Sequence, residues 1–246
     1  MTRARHWLFV GTIYGLMGLM GIVGLPVILW SRSLCYGWMR LYARSVFRIA
    51  RALCGITTEI RGAVPAGAVI VAAKHQSMLD VLLIFACLPR AKFVMKRELL
   101  WVPVFGLYSW RIGTVAIDRE ARGQGAKVLR EVSAQNHEAG QVVIYPQGTR
   151  VPPGVAAPYR RGAAMLYRQL DLPMVLAATN AGAFWPKHGA IRGPGNLVVE
   201  FLETVPPGLP GAEAMARMEA VIEPASDRLA AEAERTIAKG AQAGVR

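Results

Sequence analysis

The chain has 246 residues, with 29 lysines and arginines against 16 aspartates and glutamates, a formal charge of +13 and a mean hydropathy of +0.30. That length allows one substantial domain with a short appendage and leaves little room for a second. The charge draws anionic partners, but the hydropathy is high for a soluble nucleic-acid binder, so the composition points away from nucleic acid and toward an anionic phospholipid membrane.

Residues 7–30 carry no charged side chain, are long enough to cross a bilayer at about 1.5 Å per residue, and have a tryptophan at each end. Arg3 and Arg5 precede this stretch as they would in a cleaved leader, yet the stretch is long and no small-x-small cleavage site follows. Pro26 and the many glycines leave a crossing helix and a re-entrant hairpin both open. In residues 33–53, Arg40, Arg44, Arg48 and Arg51 fall within a narrow arc of a helix, with Leu34, Trp38, Leu41 and Ile49 elsewhere around it. Such an amphipathic helix can lie in the headgroup layer with its arginines against lipid phosphates, or simply present a solvated face. Two basic residues before the apolar stretch and at least five soon after it predict that the rest of the chain stays in the cytoplasm. Residues 1–54 are thus expected to be membrane-anchoring helices.

Cys35, Cys54 and Cys87 form neither an even disulfide set nor a closely spaced metal pair, which predicts reduced thiols. Neither a metal-ligand cluster nor a Gly-rich nucleotide fingerprint is present in the sequence, so no cofactor and no metal are indicated. From residue 56 the texture changes to short β-rich runs, "AVIVAA", "TVAID", "QVVIYP", "MVLAAT" and "NLVVEFLETV", separated by helical or turn-rich segments. This is an α/β pattern: a single catalytic domain over residues 55–210 with a mostly buried mixed sheet flanked by helices. Residues 121–139 and 212–238 read as helical, the latter interrupted at Pro224. A linker at 206–211 leads to a C-terminal helical tail, 211–246, expected to be mobile and poor in chemistry.

The stretch "KHQSMLD", residues 74–80, directly follows the first of those buried runs. On one continuous helix, His75 and Asp80 would stand roughly 140° apart, out of mutual reach. With His75 on the turn leaving the strand and Ser77 capping the next helix, Asp80 in the first helical turn folds back toward the imidazole. The carboxylate then fixes the tautomer and leaves the other ring nitrogen to accept a proton from a hydroxyl, although a hydrogen-bonded structural histidine fits the same spacing. No serine stands in a Gly-x-Ser-x-Gly elbow and no cysteine has a partner, which favours direct transfer: a base deprotonates an acceptor hydroxyl as it attacks an activated acyl group, and cations hold the acceptor's phosphate. Three more stretches meet that demand. "MKRELLWVPVFGLYSWRIGTVAIDR" has Lys96 and Arg97 near one end and Arg119 at the other; in "YPQGTR", Gly148 and Thr149 form a turn whose N–H groups, with the Arg150 guanidinium, suit a phosphate; "LPMVLAATNAGAFWP" is another strand ending in a turn.

Taken in order, these four stretches resemble the blocks of the glycerolipid acyltransferase family, and the likeness runs from about residue 53 to residue 205. The resemblance implies that His75 is the general base, that Asp80 orients it, that Arg150 contacts the acceptor phosphate beside Gly148 and Thr149, and that Lys96 and Arg119 assist acceptor binding. It implies transfer of a fatty acyl chain from acyl-CoA or acyl carrier protein to the sn-2 hydroxyl of lysophosphatidic acid, at the cell inner membrane with the catalytic domain on the cytoplasmic face. Glycerol-3-phosphate, a lyso-ornithine lipid or another lysophospholipid stays open as acceptor, as do a membrane thioesterase and a non-catalytic membrane-binding protein. One position departs from the family pattern: Gln147 stands where a glutamate usually precedes Gly-Thr-Arg, so an acidic role there is not carried over.

Overall fold

Residues 7–30 do not make one rod. In the computed structural model, which describes residues 3–117 and 140–243, helix α1 (Arg3–Val23) stops at Gly24, a short helix α2 (Leu25–Trp30) follows with Pro26 in its first turn, and α3 (Arg32–Cys54) runs back. Proline suits a helix start, where its missing N–H has no partner to lose, so Pro26 begins α2 and cannot continue α1. Ser31 caps α3 by accepting from the Leu34 amide. The Trp38 indole donates to the Met20 carbonyl at 2.9 Å and the Tyr42 hydroxyl to that of Ile13 at 3.2 Å, a register that makes α1 and α3 antiparallel. Both feet of this hairpin stand on the α/β body: the Ile191 amide donates to His6 Nδ1, Phe9 meets Trp185 edge-on, and α3 ends at Gly55 beside the first strand.

The apolar side of α3, with Tyr36, Val46, Phe47 and Ala50, is buried in the main core, while Arg44, Arg48 and Arg51 are exposed. The amphipathic helix is therefore present, with much of its apolar side packed on protein, and its outward side carries the basic stripe together with the exposed Leu34 and Leu41. A 3₁₀ turn (Arg97–Trp101) and α5 (Phe105–Ile112) lean on the tip of the hairpin: Tyr108 donates to the Gly21 carbonyl, Arg111 to that of Ile28, and Arg32 to that of Arg111.

The sheet has seven strands, β1 (Ile56–Arg61), β2 (Val69–Ala73), β3 (Ala91–Lys96), β4 (Val115–Ile117), β5 (Gln141–Ile144), β6 (Met174–Thr179) and β7 (Gly195–Val205), in the order β1-β7-β6-β2-β5-β3-β4. All neighbours are parallel except β6 and β7, so the sheet is mixed. Five strands answer to the β-rich runs of the sequence; β1 and β3 do not, because "ITTEIR" and "AKFVMK" are each interrupted by two charged residues. Val71, Ala73, Val143 and Ala177 join the core beneath α1, α3 and α4 (Met78–Cys87). Ile70, Ala72, Val142 and Ile144 join the second core, with α6 (Arg161–Leu170) and α8 (Gly211–Ala243). Burial on both faces is why β2 and β5 read as unbroken apolar runs.

The C-terminal segment differs from its expectation. Helix α8 runs unbroken through Pro224 and lies across β6 and β7, burying Ala214, Met218, Ile222, Leu229 and Ala233. A proline inside a helix removes one backbone hydrogen bond; the apolar stripe on either side keeps this helix seated regardless. The expected helix at 121–139 lies outside the described residues.

Topology places the crevice. β2 and β5 are adjacent and parallel, but the chain leaving β2 returns at β3 on one side, while the chain leaving β5 returns at β6 on the other. Where neighbouring connections part in this way, a cleft opens beyond the carboxyl ends of the strands.

Candidate active site

Both walls of that cleft come from the blocks singled out in the sequence. β2 ends at Ala73 and is followed by Lys74 and His75; β5 ends at Ile144 and is followed by residues 145–150.

On the β2 side, Ser77 caps α4 by accepting from the Leu79 amide, and Asp80 in the first turn folds back. Its Oδ2 accepts from the amides of Gln76 at 2.8 Å and Ser77 at 2.6 Å, and its Oδ1 lies 2.8 Å from His75 Nδ1. Asp80 is fully buried, at the positive end of the α4 dipole, while His75 keeps 17% of its side chain exposed. An ionised carboxylate can only accept, so Nδ1 carries the hydrogen and Nε2 is left with a lone pair. The imidazole lies 4.0 Å from the ring of Tyr145, almost parallel to it. That phenol is buried, and burial together with the Asp80 charge holds its proton well above the usual tyrosine range.

On the β5 side, Gly148 N–H returns to the Tyr145 carbonyl at 2.8 Å, closing a turn with Pro146 and Gln147 at its centre. Gly148 follows at φ 70°, a conformation open to glycine and strained for most other residues. The strap after it is tied to the other wall, since the Val151 amide donates to the His75 carbonyl at 2.9 Å. Arg150 is thereby held one residue from the histidine backbone, half-exposed and, among the described residues, without an anionic partner. Thr149 is exposed beside it. Behind both walls, Gly182 in the short helix α7 (Ala181–Phe184) donates to Gln76 Oε1 at 3.0 Å. A Cβ there would fall 2.7 Å from Pro153 and 2.9 Å from Gln76, so only glycine permits this approach.

Lys96 closes β3 and is exposed. Phe93 pairs with Val143, which is level with Val71, so Lys96 stands about as far along the sheet as Lys74, two strands or about 10 Å to the side. No hydrogen bond joins it to the other site residues described. Arg119 lies outside the described residues. The structure thus brings His75, Asp80, Gly148, Thr149 and Arg150 to one cleft and sets Lys96 on its rim.

Residues not singled out by sequence reasoning are Tyr145, against the imidazole, and a buried group behind the cleft of Lys74, Tyr159 and Glu223. Tyr145 and Lys74 sit inside the quoted blocks and could have been found there. Glu223, in a segment read as a tail, had no local signal.

Residues 55–178 match the family described as Acyltransferase. Over 164 residues the chain is 33% identical to a 1-acyl-sn-glycerol-3-phosphate acyltransferase of Pseudomonas aeruginosa, covering 64% of this chain and 63% of that protein. Over 160 residues it is 35% identical to the human 1-acyl-sn-glycerol-3-phosphate acyltransferase alpha, covering 63% of this chain and 56% of that one. The chain spans less than two thirds of the length of either relative. In fold it is similar to the crystal structure of the 1-acyl-sn-glycerophosphate acyltransferase PlsC from Thermotoga maritima, with a TM-score of 0.76 and 20% identity over 93% of this chain and 98% of that one.

Proposed function

The chain belongs to the acyltransferase family, and on that premise we propose that it esterifies the sn-2 hydroxyl of lysophosphatidic acid with a fatty acyl group, giving phosphatidic acid. The observation that carries this reading is the 2.8 Å pairing of His75 Nδ1 with the buried Asp80 carboxylate, at the mouth of a cleft whose other wall presents Arg150. The substrates named for the relatives, a phosphate-bearing lysolipid in each case, suit that cation.

In this mechanism the acceptor phosphate is gripped by the Arg150 guanidinium and by Thr149, with Lys96 and Arg119 assisting, while Gly148, whose own N–H closes the turn on the Tyr145 carbonyl, shapes the backbone there instead of donating as the sequence led one to expect. Nε2 of His75 takes the hydroxyl proton as the oxygen attacks the carbonyl of a thioester carried by coenzyme A or acyl carrier protein. The ester C–O bond forms, the C–S bond breaks, and the departing thiolate recovers the proton from the imidazolium. Asp80 keeps the ring in the productive tautomer and offsets its transient charge, while Tyr145 restrains its plane.

The reaction takes place at an anionic phospholipid membrane, on the cytoplasmic face of the inner membrane. In support, α1 is long and apolar enough to cross a membrane by length and composition, and it turns back at an exposed apolar tip that includes Leu29 and Trp30. The adjoining 3₁₀ turn and α5 continue that surface with Trp101, 83% exposed, and Trp110. Tryptophan favours the interface between hydrocarbon and headgroups, and Arg44, Arg48 and Arg51 on α3 suit lipid phosphates.

The test is an acceptor panel. With labelled acyl-CoA or acyl carrier protein, the chain is expected to label phosphatidic acid when lysophosphatidic acid is present. Label on a different lysolipid would replace the acceptor; free fatty acid alone, or no turnover, would overturn acyl transfer.

A further inference from the structure

On the opposite face of the sheet from His75, one carboxylate reaches both walls of the cleft. Glu223, on α8, receives Lys74 Nζ at 2.5 Å on Oε2, and on Oε1 the Tyr159 hydroxyl at 2.8 Å and Gln147 Nε2 at 3.3 Å. Lys74 immediately precedes the histidine and is 3% exposed; Gln147 immediately precedes Gly148 and is also buried. Tyr159 ends the strap that leaves the turn, and the next amide, that of Arg160, donates to the Pro146 carbonyl at 2.8 Å.

We propose that Glu223 is a positioning residue for acyl transfer: it clamps the residue before the base to Gln147, inside the turn that leads to Arg150, and so fixes the separation between imidazole and guanidinium. The inference rests on the roles given above to His75 and Arg150. A lysine this deeply buried contributes little to stability that an apolar residue of like volume would not, but once buried it must keep its counter-charge, which ties β2 to α8. Gln147 completes the arrangement because an amide donates to the carboxylate. A second carboxylate at that position would meet Glu223 across one lysine, and two like charges on one site oppose each other. Reach matters as much as charge, since small displacements of a reacting group cost rate steeply.

The experiment compares wild type with Gln147→Glu, Glu223→Gln and the double variant carrying both, by kcat and by KM for lysophosphatidic acid, at a temperature where melting curves show every form folded. Because each single change leaves a buried member of one network without its partner, each is expected to lower kcat/KM about tenfold. The double variant restores one carboxylate facing one amide but leaves the Ala157 carbonyl, which accepts from Gln147 Nε2 at 3.3 Å in wild type, without that donor, so it is expected to lose clearly less than the product of the two single losses without returning fully to wild type. Glu223→Asp, which keeps charge and helix but shortens the reach, is expected to fall between wild type and Glu223→Gln, and decides the matter if either Gln147→Glu or Glu223→Gln fails to fold. A brace that merely held α8 would shift Tm and leave kcat and KM of the folded enzyme alone. Single variants with wild-type kcat and KM, or losses that simply add in the double variant, overturn the inference while the proposed function stands; a wild type without acyl transfer overturns both.

Discussion

The two turns that face each other across the cleft are built by opposite means. In the turn after β2 the hydrogen bonds that orient the imidazole lie within six consecutive residues: Ser77 caps, and Asp80 bonds the amides of Gln76 and Ser77 and the ring of His75. The turn after β5 is closed by the Gly148 amide on the Tyr145 carbonyl, and its position comes from far along the chain, from Glu223 on α8 and from the carbonyl of His75. The proposed proton-transfer group is thus oriented by local chemistry, and the proposed anion-binding group by the packing of distant elements. Errors in the first should cost chemistry; errors in the second should cost binding and alignment.

Changes at the β2 turn give the largest expected effects. Removing a general base costs about 10²–10⁴-fold in rate; His75→Ala is therefore expected to reduce kcat on that scale while vesicle sedimentation remains that of wild type, and near-normal turnover would sink the base assignment. Asp80→Asn should lower kcat comparably, because the amide no longer selects the tautomer with a free Nε2. On the β5 side, losing a hydrogen bond to a charged group costs about 1.5–3 kcal/mol, so Arg150→Ala should raise the KM for lysophosphatidic acid roughly tenfold to hundredfold with less change in kcat. An unaltered acceptor KM would remove Arg150 from the phosphate site.

Smaller effects sharpen the contrast. Aromatic stacking contributes about 0.5–1.5 kcal/mol, so Tyr145→Ala should slow turnover severalfold while Tyr145→Phe, which keeps the ring beside His75, stays close to wild type. Equal losses in both would mean that the hydroxyl, not the plane of the ring, matters. The smallest effect concerns the seat of α8. Arg61 bonds Glu232 at 2.9 Å and holds that carboxyl below its ordinary value near 4.5. A carboxyl lowered on folding stabilises the native state above its unfolded pKa and loses that contribution as pH falls through the folded one. Wild-type Tm should accordingly fall between about pH 5 and 3, and Arg61→Met should flatten part of that slope; identical slopes would show that the pair contributes nothing measurable.

Legibility in the sequence follows the same division. The five-residue interval from His75 to Asp80, with Ser77 between them, already demanded a strand, a turn and a capped helix, because no other local arrangement lets the two side chains meet. The apolar runs gave β2 and β5 since both of their faces are buried, whereas β1 and β3, each interrupted by two charged residues, gave no comparable pattern. Tyr145 was in plain view beside the glycine turn, but nothing in its own stretch says that it stacks on an imidazole from another strand. Pro224 argued locally for an interruption, and the apolar stripe from Ala214 to Ala233 overrode it.

What the sequence determined by itself was the chemistry at each strand end: which residues can cap, accept, donate or carry charge within a few bonds of one another. Which strand ends stand side by side, that α1 turns back along α3, and that a helix read as a loose tail delivers Glu223 to Lys74 and Gln147, were decided by the tertiary structure. The reason is range: caps and hydrogen bonds between near neighbours in sequence leave a mark in spacing, whereas the burial of large apolar faces, and the distant hydrogen bonds it brings about, join segments far apart in the chain without any signature in either one alone.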